Sequence, residues 1–179
     1  EGARPQFNSL KSKGLLIEYI QKAKTIFDGD IIDSDKIKKH ISFSGSMWTK
    51  VYALISDTGA PIYDTRVAAA ISSLVSLFFH LNGYHSQRDN ILEFLVPHRH
   101  KNRSEFTLPN SQICKFKSLK NNSVEWTENT LKLSWIMDLV ISYNSDLFKN
   151  ETSLRHKKHA FEASLFMIGY NTKDLYIKL

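Results

Sequence analysis

Lys50 and Asp64 stand fourteen residues apart within the stretch ISFSGSMWTKVYALISDTGAPIYDTRVAAAI, Ile41 to Ile71. A lysine in the first turn of a helix sits where the helix dipole disfavours its protonated form, and partial burial beside Trp48 and Val51 would disfavour it further. A neutral amine can attack an electrophilic carbon such as C1′ of a sugar. A carboxylate brought beside it can accept the proton the amine gives up, or stabilise positive charge developing on that sugar.

The elements that must position this pair are legible in the same stretch. Asp33 or Ser34 can cap a short helix reaching Lys39 or Ile41, with Ile37 and Ile41 packing at i and i+4. Ser42-Phe43-Ser44-Gly45-Ser46 is a turn by composition, and helical spacing resumes at about Trp48 with Val51, Tyr52, Leu54 and Ile55. Asp57-Thr58-Gly59-Ala60-Pro61 stops that helix. Ile62-Tyr63 should be extended, and Asp64 then caps a long helix running through Val67, Ala70, Ile71, Leu74, Val75 and Phe78 to about Leu81, closed by Asn82-Gly83. An Asp in that position is an ordinary N-cap as well as a chemical group, and the two roles are compatible.

A turn between two helices aims unpaired backbone N–H groups, and the positive end of the second helix, at one place where a phosphate oxygen can sit. Ser44, Gly45, Ser46, Trp48 and Thr49 are the expected DNA contacts there, with Arg66 at the start of the following helix. Such a grip holds DNA without reading its sequence. Phe43, Met47 and Trp48 could wedge into DNA, or could staple the two helices together. Tyr63 reads as packing.

In this order of elements the chain resembles the helix-hairpin-helix DNA glycosylases, and within them the 8-oxoguanine glycosylase-like branch. Thr49-Lys50-Val51 is similar to that branch's hairpin-end lysine, and Pro61-Ile62-Tyr63-Asp64 with Arg66 and Val67 to its aspartate segment. The resemblance implies that Lys50 is a Schiff-base nucleophile and that Asp64 assists glycosidic cleavage. It further implies double-stranded DNA with a damaged or modified base as substrate, a lyase step after base removal, and no cofactor. A weaker likeness covers Ala160 to Tyr170, expected as a packing helix near the site. The family's hairpin carries two glycines around an apolar residue where this chain has Gly45 alone, and no N-terminal β-domain of the larger enzymes is evident, so a minimal or truncated version is expected. Oxidised guanine and modified foreign DNA are both open as targets.

The rest of the chain frames these elements. Leu15, Leu16, Tyr19, Ile20, Ala23, Ile26 and Phe27 recur at helical spacing from Gly14 to Phe27. Further helices are expected over Ser86–Val96, over Thr127 to about Tyr143 with a Trp135-Leu139 pair, and over Ser153 to about Gly169 with Phe161, Leu165 and Ile168. Residues 97–123 read as a long basic loop, in which His98, Arg99, Lys101 and Arg103 would neutralise DNA phosphates.

Composition bounds the class. The 179 residues suit one all-α domain, and 11 Phe, 7 Tyr and 3 Trp supply its core. A net charge of +6 favours polyanionic partners. Cys114 alone precludes an internal disulfide, and neither His98 with His100 nor His156 with His159 has a third ligand placed for a metal. Val67 to Leu81 falls short of the roughly 20 apolar residues that span a bilayer, and no Gly-x-Ser-x-Gly or phosphate-loop sequence occurs. A cytoplasmic or nucleoid-associated monomer is expected, from a chain whose Glu1-Gly2 start suggests a trimmed N-terminus. The alternatives are a non-catalytic DNA-binding module and a helical protein-interaction domain.

Overall fold

The computed structural model describes residues 3–29, 31–83, 92–97, 118–119 and 122–175. The chain is mostly helical, as an all-α sequence should be, and a two-residue parallel ladder is the only β structure among the described residues. Where the composition suggests one domain, the packing resolves two compact units: Glu1–Tyr63 with Asn121–Phe161, and Asp64–Lys120 with Glu162–Leu179.

The first unit contains α1 (Arg4–Ser12), α2 (Leu16–Phe27), α3 (Ser34–His40), α4 (Ser46–Ile55), α6 (Ser123–Tyr143) and the start of α7 (Leu154–Ile168). Helix α2 presents Tyr19, Ala23 and Phe27 at i, i+4 and i+8, and this stripe meets Trp48 and Tyr52 of α4, Ile37 and Ile41 around α3, and Leu131 of α6. Burying each large apolar side chain in such a cluster contributes roughly 1.5–3 kcal/mol. Asp33 caps α3 as expected, its carboxylate accepting from the amides of Asp35 and Lys36. Helix α1, not anticipated from the sequence, has Pro5 in its first turn and no buried residue. Leu10 leans on the core, and Gln6 Oε1 accepts a 2.5 Å hydrogen bond from the indole of Trp48.

Helix α6 begins at Ser123 rather than Thr127, because Asn122 accepts from the Val124 amide and starts the helix one turn early. Its inner side takes Trp126, Thr130, Leu131, Leu133, Ser134, Met137 and Ile141. Trp135 and Leu139, expected as a pair on this helix, are 37% and 56% exposed and lie off that buried stripe.

The second unit contains α5 (Thr65–Leu81), β1 (Val96–Pro97), β2 (Ser118–Leu119), the end of α7 and a 3-10 turn (Thr172–Leu175). Of the expected helix over Ser86–Val96, residues 86–91 lie outside the described residues, and its end is not helical, because Val96 and Pro97 pair in parallel with Ser118 and Leu119. A residue before proline is driven from helical to extended backbone, which accounts for Val96. The same ladder takes up Pro97, Ser118 and Leu119 of the expected loop. His98, Arg99, His100, Lys101, Arg103 and Cys114 lie outside the described residues.

Candidate functional site

The turn from Ile41 to Gly45 leads into α4 through a glycine at φ 120° and ψ 170°, a backbone that disfavours any side chain. No side chain caps α4; its first intrahelical bond of this turn runs from Thr49 N–H to Gly45 C=O at 3.0 Å. A Cβ on Gly45 would meet nothing within 4 Å, so the turn's outer side is open.

Beneath that opening the turn is pinned from inside. Tyr52 Oη donates to Phe43 C=O at 2.5 Å, Phe43 N–H donates to Tyr19 Oη at 3.1 Å, and the two phenols are bonded to each other at 2.7 Å. Burial raises the pKa of both phenols, that of Tyr52 far above its ordinary range, and as neutral groups both can donate. The Phe43 ring stacks on Trp48 at 5.4 Å, and Trp48 on Tyr52 at 5.8 Å.

These contacts correct several expectations. Trp48 and Thr49 are buried, 2% and 1% exposed, so neither side chain is available to a DNA surface. Trp48 fills the core, while Thr49 Oγ1 donates to Ser46 C=O at 3.1 Å and lies 3.5 Å from Tyr63 C=O. Phe43 is half-buried in the aromatic stack, which leaves Met47 as the exposed member of the expected wedge. Lys50 is the fifth residue of α4, past its first turn, and is exposed rather than partly buried. Tyr63 packs as expected, fully buried and edge-on to Trp126.

The far end of α4 is held by Asp28, which follows α2. Its carboxylate accepts from Ser56 Oγ at 2.7 Å, from the Asp57 amide at 3.0 Å, from the Thr58 hydroxyl at 3.1 Å, and from Lys24 Nζ at 2.5 Å. Burial raises this carboxyl's affinity for a proton. The bonds from Lys24, Ser56, Thr58 and Asp57 together outweigh it and hold the pKa down at about 2.

In the second unit Asp64 caps α5, its Oδ1 accepting from the amides of Arg66 at 2.8 Å and Val67 at 2.9 Å. Both bonds use one oxygen, and the other has no hydrogen-bond partner among the described residues. The Arg66 guanidinium lies over Phe166 at 4.6 Å and Tyr170 at 5.2 Å. Gly169 permits this, since a Cβ there would stand 2.0 Å from Arg66 C=O. The segment expected as a packing helix thus meets the residue two after Asp64. Lys50 and Asp64 themselves belong to different units.

One charged residue escaped the sequence reading. Lys158, on α7, is 2% exposed, with Nζ 2.6 Å from Ser134 Oγ and 3.0 Å from Asp138 Oδ2. The signal for it is a lysine falling in line with Leu154, Phe161 and Leu165 at helical spacing, the stripe otherwise reserved for apolar residues. No helix of the described residues is long and apolar enough to cross a membrane. Compared with known protein families, curated proteins and solved structures, the chain matches none.

Proposed function

We propose that α3, the turn over residues 41–45 and α4 form a helix-hairpin-helix that grips the phosphates of double-stranded DNA, and that the chain is a DNA glycosylase with Lys50 as nucleophile and Asp64 as its carboxylate partner. The observation that carries this reading is the turn itself. It pairs an open side at Gly45, leading into an uncapped helix, with a backbone fixed from behind by Tyr19 and Tyr52. An anion can meet free N–H groups there without first reorganising them. The net charge of +6 favours the same polyanion. Lys50 extends outward from the helix that begins at this turn, where docked DNA would strip water from its amine.

Catalysis requires Lys50 and Asp64 at one deoxyribose, with the base flipped out of the stack. The Nζ lone pair forms a bond to C1′ while the C1′–N glycosidic bond breaks, and the bonding pair leaves with the base, which takes up a proton. Asp64 accepts the proton released from Nζ and returns it to O4′ as the remaining Nζ lone pair forms the C1′=N bond and the C1′–O4′ bond opens, which gives the Schiff base; the proton on the departing base comes from water. Support for Asp64 in this role is the oxygen left over by its cap.

The exposure of Lys50 favours a second reading, a DNA-binding module in which this lysine touches phosphate and Asp64 only caps α5. Borohydride trapping separates the two. Duplexes carrying 8-oxoguanine, uracil or hypermodified cytosine are incubated with the protein and reduced, beside Lys50→Gln and Asp64→Asn. A covalent band that disappears in Lys50→Gln is the expected result. Asparagine caps a helix about as well as aspartate, so a loss in Asp64→Asn reports on charge rather than folding. Salt-sensitive DNA binding with no band on any duplex would leave the module.

A further inference from the structure

A cavity of about 170 Å³ opens within the first unit between the end of α2, the turn after α4, α6 and the start of α7. A cavity of about 150 Å³ accommodates a single benzene ring, so the space suits one six-membered ring. Phe27, Leu131 and Trp135 supply apolar lining, and Lys158, Ser134 and Asp138 the polar groups.

The charges decide what kind of ring fits. Lys158 has three N–H donors and spends two, on Ser134 and Asp138. Asp138 spends Oδ2 on Lys158, while its Oδ1 is buried with no hydrogen-bond partner among the described residues. Asp28, also lining the space, has its carboxylate taken up by Lys24 and the turn after α4. An anionic ligand would face two carboxylates, and a cation would face Lys158 with Lys24 behind Asp28. A neutral ligand with one acceptor for Lys158 and one donor for Asp138 satisfies both spare valences, and buried polar groups so satisfied stop counting against the fold.

We propose that this cavity binds a neutral six-membered heterocycle with a hydrogen-bond donor beside an acceptor, the edge carried by a pyrimidine base, held by Lys158 and Asp138 against Trp135. The site goes beyond the glycosylase reading, because neither Lys50 nor Asp64 lines it.

The test titrates the full chain with free cytosine and uracil, with acetate and methylguanidinium as the anionic and cationic counterparts, and with a pyrimidine oligonucleotide. Calorimetry is combined with amide and indole NMR shifts. The expected result is saturable binding of the free bases at about millimolar affinity or tighter, with shifts at Ser134 and the Trp135 indole. Lys158→Met and Asp138→Asn should each weaken it about tenfold. If Lys158→Met fails to fold, Trp135→Ala, at a 37% exposed position, tests the wall instead and should weaken binding severalfold. Oligonucleotide binding that shifts the same signals identifies a base presented on a strand as the source, and binding of free bases alone identifies the free ligand. Preference for acetate or methylguanidinium, shifts confined to other residues, or no binding by the wild-type chain would overturn the proposal. None of these outcomes bears on borohydride trapping at Lys50.

Discussion

Lys50 and Lys158 are carried by the same compact unit and live in opposite environments. Lys50 stands exposed on α4 above an open turn, whereas Lys158 is 2% exposed and bonded to Ser134 and Asp138. Spacing in the sequence can say which helix bears a lysine and roughly where. It cannot say whether the ammonium is left to water or folded inward, and that difference decides what its removal does. An exposed lysine contributes little to folding and is free to meet something arriving from outside. A buried one is part of the architecture, because a charge withdrawn from water must find partners.

The contrast can be broken by mutation. Lys158→Met should be the most damaging change, destabilising by about 2–4 kcal/mol in urea unfolding followed by circular dichroism. Breaking a buried pair is costly, and the 40% exposure of Asp138 keeps the figure towards the lower end. Adding Asp138→Leu should recover part of the loss; no recovery would mean that the pair is not what holds α7 on α6. Next comes Tyr52→Phe, which leaves Phe43 C=O with only the longer 3.5 Å bond from Tyr19 Oη and should cost about 1–3 kcal/mol by the same assay. If the turn is the phosphate grip, this variant also binds duplex DNA more weakly at equal salt.

A smaller effect, about 1–2 kcal/mol after allowing for solvent screening, is expected from Asp28 on acidification. Its carboxyl titrates near 2 in the folded chain against an ordinary 3.8, so its contribution is fully present above about pH 4 and drains away as pH falls towards 2. Asp28→Asn should flatten that part of the stability profile, and an unchanged profile would assign the acid response to other carboxylates. At the bottom of the scale, Lys50→Gln should shift stability by no more than about 0.5 kcal/mol. A larger shift would show that Lys50 is structural after all, and would undo the comparison.

What could be read in advance follows the reach of the interactions involved. Asp33 and Asp64 were legible as caps because an N-cap bonds to amides two and three residues ahead, and so needs nothing from the rest of the chain. The α2 stripe and the buried Tyr63 were legible for similar reasons of spacing and neighbours. Helix α1 was not, since it buries no residue and carries few apolar side chains, Phe7 and Leu10 among polar neighbours. The burial of Trp48 and Thr49 depended on α1 and on Tyr63 C=O, partners that their own spacing does not name. Gly169 looked like the end of a helix, and only the backbone of Arg66, far away in sequence, explains why a side chain is forbidden there. Of the proposed pair, the residue types and their elements could be read, but not the exposure of Lys50.

Helix α4 is secured at both ends from a single neighbour: Tyr19 of α2 grips the turn before it through Phe43, and Asp28 at the end of α2 grips the turn after it through Ser56 and Thr58. A beam fixed at both supports can neither slide along its axis nor unwind from one end. Whatever lands between Ser44 and Lys50 therefore meets a surface whose backbone entropy was surrendered during folding, and only side chains such as Met47 and Lys50 remain to be ordered. Association there should be quick, little dependent on conformational rearrangement, and accompanied by a small heat-capacity change.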